Sequence, residues 1–462
     1  MSSELLAPLD LAFWHLESVG HPMHLGALAL FAPAEGERRH GGPLDEAVLE
    51  LLATRAAAIR RLRMRVQDVL VPVGGAVWAA DKDFDVRRHV HHIRLPGGDF
   101  AAGATAIAGE LMERPLERGL PPWEMYLLTQ QPDGPFAVLV KLHHALADGM
   151  RAVAIGAGIF DEIAGARGMR ARQVGPSPVR PWFADPARLV DFARNRIDDL
   201  GRAVGVSASV VRASRFDPRG LSALAAGSSG TRRLGTVVFD LEAVRGIRRE
   251  TGGTANDVLL AIVAGGLRRW AHQRGEQLPA TGPRALVPVS RRRPGSAPGS
   301  GNKLSAYLLE LPVGEPDPRL RLAAVRTAMD RNKAAGPSRG AGALAVLADQ
   351  LPPLAHRFGA PLAQGAARML FDVLVTSVPL PRSALSLGGC PLQEIYPMAP
   401  LPRGQSLAIA LTTYGGKIHV GLVADGKAVP DLDRLAEGLR EELAELLELV
   451  PSNAASPVSP AG

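Results

Sequence analysis

The run His143-His144-Ala145-Leu146-Ala147-Asp148-Gly149 carries the residue types and spacing with the clearest chemical use in this chain. A neutral imidazole titrates close enough to pH 7 to take a proton from a hydroxyl or amine and return it to a leaving group. One imidazole is enough for that task, and a second cannot usually reach the same proton. His144 is the candidate general base, and His143 is expected to shape the turn or the pocket wall. Asp148 has three readings: it orients His144, caps the following helix, or pairs with an arginine. Gly149 is read as a place where backbone or ligand approaches closely.

These residues need a rigid support, and the flanking pattern predicts one. Residues 136–142 alternate apolar and small or polar positions as a strand does, and 150–155 read as a helix. The histidines thus stand at a strand end, before a helix start. Further strands are expected at 25–31, 236–241, 285–289, 304–311 and 372–378, and helices at 46–61 and 104–114. A second helix-start signal is Thr254-Ala255-Asn256-Asp257, in which Thr254 and Asp257 form a capping box. The helix it opens, 254–270, has an apolar stripe through Val258, Ile262 and Trp270. Asp257 is explained by the cap. Asn256 is not, and it is a candidate polar contact to substrate or oxyanion. Residues 407–413 and 417–424 predict a hairpin around Gly415-Gly416, and a closing helix starts at Asp431.

At 462 residues the chain is long for one core. The expected organisation is a mixed α/β protein with a first domain over 1–175, a linker with helical pieces over 176–230, a second domain over 231–450 and a disordered tail over 451–462. Apolar residues make up 46% and charged residues 21%, a soluble globular balance. The single cysteine, Cys390, excludes a disulfide framework and a cysteine-rich metal site. His89, His91 and His92 lack a second ligand cluster, so no metal is expected. No signal peptide is read at the N-terminus, and no apolar run is long enough to span a bilayer. The net charge of +7 comes mainly from arginines such as Arg291, Arg292 and Arg293. Aromatics are only 5%, with no stacking or recognition motif beside those arginines, which argues against nucleic acid. Anionic lipid surfaces or coenzyme A phosphates suit the charge better.

The motif His143-His144…Asp148-Gly149 resembles the HHxxxDG signature of the chloramphenicol acetyltransferase and condensation-domain superfamily. Ordered segments along the chain narrow the resemblance to bacterial wax ester synthase/diacylglycerol acyltransferases: Pro8-Leu9-Asp10, Pro22-Met23-His24-Leu25-Gly26, Pro122-Trp123-Glu124, Asn256-Asp257-Val258, Val287-Pro288-Val289-Ser290, Gly301-Asn302, Tyr396-Pro397-Met398, Gly404-Gln405 and Gly421-Leu422-Val423-Ala424-Asp425. The resemblance implies two chloramphenicol-acetyltransferase-like domains, each a mixed β-sheet flanked by helices, with the active-site tunnel between them. It implies a fatty acyl-CoA co-substrate, no resident cofactor, and diacylglycerol or a long-chain alcohol as acceptor. It also implies peripheral contact with a membrane or lipid droplet in the cytoplasm, and a mainly structural role for Asp148. Asn256, Trp123, Glu17 and His24 become the substrate-side candidates, with a core or tunnel-wall place open for Trp123 and a packed histidine equally open for His24. The rival expectations are another superfamily branch, acting on a polyketide, peptide or sugar hydroxyl, and a lipid-binding protein that retained the fold. Two stretches depart from the family. Many members carry Pro-Leu-Asn where this chain has 224–230, and Asn-Val-Pro-Gly-Pro where it has Ser377-Val378-Pro379-Leu380-Pro381. Both bear on acceptor choice and turnover more than on reaction type.

Overall fold

The structure is a computed structural model that describes residues 4–18, 20–33, 43–70, 74–146, 149–164, 221–224, 229–279, 281–290, 304–335 and 370–449. Most of the expected linker, the tail and Asp148 lie outside the described residues, as do Arg291 to Arg293.

In chain order the first half runs β1 (Glu4–Leu5), α1 (Pro8–Leu16), β2 (His24–Phe31), α2 (Leu44–Ala58), β3 (Met64–Asp68), β4 (Ala76–Ala80), β5 (Val90–Arg94), α3 (Phe100–Glu113), β6 (Trp123–Thr129), β7 (Phe136–His143) and α4 (Gly149–Gly156). The second half runs β8 (Arg232–Asp240), α5 (Leu241–Thr251), α6 (Ala255–Gln273), β9 (Arg284–Ser290), β10 (Leu304–Glu310), α7 (Pro318–Ala335), β11 (Val373–Ser377), β12 (Ser386–Leu387), β13 (Cys390–Met398), β14 (Leu407–Tyr414), β15 (Lys417–Asp425) and α8 (Leu432–Glu448).

The strands form two six-stranded mixed sheets, ordered β12-β13-β2-β7-β6-β5 and β10-β9-β11-β14-β15-β8, beside a small sheet β1-β4-β3. One core lies outside the first sheet, under α2 and α4. A second lies outside the other sheet, under α5, α6, α7 and α8. A third lies between the inner faces and takes in α3: Leu28, Leu128 and Leu139 of the first sheet, Ala108 and Leu111 of α3, and Leu374, Ala408 and Val423 of the second. Burial of this kind holds the halves together through apolar area removed from water.

Strand β7 shows how sequence parity sets this up. Phe136, Val138, Val140 and Leu142 enter the outer core, while Ala137 and Leu139 face the other sheet. Side chains alternate along a strand, so Lys141 and His143 share the inner face. On β2, Leu28 and Leu30 face inward, and His24 has their parity.

The hairpin at Gly415-Gly416 is present, with Tyr414 opposite Lys417 and both glycines at positive φ, 56° and 76°, as a two-residue turn requires. The capping box at Thr254 and Asp257 is also formed. Strand β13 differs from the sequence reading, which named no strand there. It lies late in the chain, yet it pairs with β2 in the first sheet, Met398 opposite Gly26. A Cβ on Gly421 of β15 would stand 2.0 Å from the Pro397 carbonyl oxygen, so glycine is needed where β13 crosses the second sheet.

Candidate active site

The histidine turn is pinned by backbone from two neighbouring segments. His143 N–H donates to the Pro122 carbonyl at 3.0 Å, and His144 N–H donates to the Met23 carbonyl at 2.8 Å. The Leu146 N–H closes the turn on the His143 carbonyl at 2.9 Å. Pro122-Trp123-Glu124 and Pro22-Met23-His24 therefore act first as backbone supports for the two histidines.

The histidines differ in environment. His143 is fully buried, opposite His24 in the β2–β7 ladder. Its Nδ1 accepts the Ala145 N–H at 3.0 Å, which leaves the proton of the neutral ring on Nε2. Burial pushes this imidazole down to about 3, against the pull of Glu17. His143 is thus neutral at pH 7 and its proton is committed inward. His144 is half-buried and stacks on Phe13 of α1, ring centroids 3.8 Å apart and planes 25° from parallel. Its Nδ1 is buried.

Beneath the pair lies Glu17, whose Oε1 is 3.4 Å from both His24 Nε2 and His143 Nε2. The same oxygen accepts the Met23 N–H at 3.3 Å, and Oε2 accepts from Arg118 at 2.6 Å. Burial alone would raise the Glu17 carboxyl. The contacts with His24, His143 and Arg118 outweigh it and hold the pKa down at about 2. His24 is buried and its imidazole is pushed below the ordinary range by desolvation. Farther along the inner face, the fully buried Lys141 donates to the Arg114 carbonyl at 2.6 Å and to Glu124 at 3.2 Å. Tyr126 donates to the same Glu124 oxygen at 2.7 Å.

The structure therefore gathers His143, His144, Glu17 and His24 into one cluster. Glu17 and His24, read from the sequence as substrate-side residues, are engaged with the protein's own groups. Of the two readings of Trp123, core and tunnel wall, the geometry favours the core. Trp123 faces the outer core, fully buried, with its indole N–H on the Leu62 carbonyl at 2.7 Å and its ring stacked on His89 at 4.7 Å. No face of it is left for a substrate. Asn256 is half-buried at the start of α6, in the helical layer of the second half. The contacts there join Asp257 to Thr254 and Lys333. No contact among the described residues joins Asn256 to the histidine turn. Gly149 opens α4.

Sequence reasoning missed Phe13, Trp14 and Arg118. Trp14 meets the His143 ring edge-on at 5.0 Å, and the Arg118 guanidinium lies 3.8 Å over the Trp14 ring. The adjacent aromatics on α1, next to Pro8-Leu9-Asp10, were an available signal. Nothing near Arg118 in the chain marked it.

The histidines 89, 91 and 92 go to separate neighbours: Trp123, Tyr126 and Thr129. Among the described residues no group of three or more His, Cys, Asp or Glu could hold a metal ion.

The chain and its fold match known proteins. The model of the wax ester synthase/diacylglycerol acyltransferase catalytic domain matches residues 6–259, the whole of this cluster, and that of the family's C-terminal domain matches 300–447. The chain belongs to the wax ester synthase/diacylglycerol acyltransferase family. It is therefore an acyltransferase. It is 30% identical over 459 residues to a Mycobacterium tuberculosis protein named "Probable diacyglycerol O-acyltransferase tgs1", covering 96% of each chain. The solved wax ester synthase/diacylglycerol acyltransferase from Marinobacter aquaeolei VT8 superposes with a TM-score of 0.67 at 24% identity, covering 97% of this chain and 100% of that one. The first condensation domain of the CDA synthetase superposes with a TM-score of 0.59 at 18% identity, covering 98% of each. The family's two-domain acetyltransferase and condensation fold is thus the fold of this chain.

Proposed function

We propose that the protein transfers a long-chain fatty acyl group from acyl-CoA to the hydroxyl of diacylglycerol or a long-chain alcohol, with His144 as general base. The observation that carries this is the anchored turn: both histidine backbones are tied to strand-end carbonyls, His143 is buried and neutral, and His144 is left partly exposed at the strand end. With Nδ1 buried, Nε2 takes the hydroxyl proton. The alkoxide attacks the thioester carbonyl, the tetrahedral intermediate collapses, and the imidazolium returns the proton to the departing coenzyme A thiolate. The activated thioester supplies the driving force, so no resident cofactor is needed. The oxyanion needs a donor, and Asn256 is the side chain to test beside backbone N–H groups. Asp148 is assigned a structural rather than a chemical part in this reading. Lipid substrates of this kind suit peripheral contact with a membrane or lipid droplet in the cytoplasm. One exposed apolar side chain suits that setting: Leu70, just after β3, is 91% exposed.

The test is thiol release from palmitoyl-CoA with diacylglycerol, hexadecanol or no acceptor, beside His144→Ala and Asn256→Ala. Acceptor-dependent release that disappears in His144→Ala is the expected result. Loss of about 10²–10³ in kcat for Asn256→Ala would assign it the oxyanion. No release from folded wild-type protein with either lipid would overturn the reading.

A further inference from the structure

Two neighbouring residues of α1 engage the two histidines separately, Phe13 on His144 and Trp14 on His143. The helix is held in place independently of those contacts. Leu9, Leu11 and Trp14 are buried, Arg118 covers the Trp14 ring, and the same guanidinium donates to the Trp14 carbonyl at 3.2 Å and to Glu17 at 2.6 Å. Phe13 is thus fixed by its helix, and its ring covers one face of the His144 imidazole at van der Waals distance.

We propose that Phe13 is a positioning and specificity residue: it fixes the plane of the His144 ring, closes one face of it to water, and so favours acyl transfer over hydrolysis of the thioester. This rests on His144 being the base. Both reactions use the same proton step. In transfer the lipid hydroxyl gives its proton to His144 and forms the ester. In hydrolysis a water does so and forms the free fatty acid. Either way coenzyme A thiol leaves with a proton. A proton reaches the imidazole nitrogen in the ring plane, so a ring free to turn aims its lone pair at water away from the acceptor, whereas a stacked ring keeps that lone pair in one direction. Packing of this kind also restricts the ring to one rotamer, which matters because small misplacements of a base are costly in rate.

The experiment compares wild type, Phe13→Ala, Phe13→Leu, Phe13→Tyr and His144→Ala. Free fatty acid and ester product are measured in the same reaction with palmitoyl-CoA and hexadecanol. The ratio of hydrolysis to transfer is expected to rise on the order of three- to tenfold in Phe13→Ala, the span that loss of one aromatic stack covers. It is expected to rise less in Phe13→Leu, which keeps apolar volume, and to stay low in Phe13→Tyr, which keeps the stack. An inactive His144→Ala beside a Phe13→Ala whose ratio matches wild type would overturn the role of Phe13 and leave the base intact. An active His144→Ala would instead overturn the reading on which it rests. Carbethoxylation of His144 by diethyl pyrocarbonate, followed by peptide mass spectrometry, reads the shielding without turnover. Faster modification in Phe13→Ala and Phe13→Leu than in Phe13→Tyr supports the proposal, and equal rates in all three refute it.

Discussion

Glu17 offers the most searching test of this architecture, because one carboxylate holds the supports of both histidines. The fall of its pKa from 4.5 to about 2 sets a ceiling of about 3 kcal/mol, at ~1.4 kcal/mol per pH unit, because His143 and His24 attract the carboxylate as charges only when protonated and Arg118 is the charged partner at pH 7. Glu17→Gln keeps the shape and can still accept the Met23 N–H, but it loses the charge that Arg118 binds. Arg118 is 47% exposed and rehydrates when released, so the expected cost is below that ceiling, about 2 kcal/mol at pH 7. The native carboxyl has a depressed pKa. Its contribution is therefore full above the unfolded value and is lost as pH falls through the native one. Wild type should lose stability faster than Glu17→Gln between pH 5 and about 2, and the two curves should converge at the acid end. Denaturant titrations of both proteins at pH 7, 5, 4 and 3 measure this. The His144 backbone hangs from Met23, whose N–H the glutamine still accepts, so the thiol-release assay should show kcat little changed. A stability difference under about 0.5 kcal/mol at pH 7, or one that does not shrink with acid, would refute the account of Glu17 as the ionised hub.

Other positions follow the same logic. Trp123→Phe leaves the buried Leu62 carbonyl without its indole donor and should cost about 1–3 kcal/mol, with KM for acyl-CoA unchanged because the ring meets no substrate; a raised KM would return Trp123 to the substrate side. Gly421→Ala drives a methyl into the Pro397 carbonyl where two sheets cross, and should lower the melting temperature by several degrees or leave the protein insoluble; a wild-type melt would count against that close packing. The buried pair Arg321–Glu442, joined at 2.7 Å, predicts a loss of about 3–5 kcal/mol for Arg321→Met and recovery in Arg321→Met/Glu442→Leu, read by chemical denaturation.

Local chemistry made much of this protein legible in its residues alone. The strand into His143, the capping box at Thr254, the hairpin at Gly415-Gly416 and the apolar stripe of the last helix are written in periodicity and turn residues, which act between near neighbours. The histidine pair and its ordered companion segments identified the reaction class for the same reason: the spacing is local, and each motif is short. Tertiary structure alone decided the rest. Parity tells which face of a strand is apolar but not which sheet that face meets, so the pairing of β13 with β2 had no local signal. Glu17 looked like a substrate contact because its donors are scattered, with Arg118 lying 101 residues away. Trp123 read as core or tunnel wall because an indole suits either; only the Leu62 carbonyl and the His89 ring put it among core residues. Phe13 became visible as the neighbour of His144 only when α1 folded against the turn. Long-range contacts are set by the packing of whole faces, and no spacing within one segment encodes the segment on the other side.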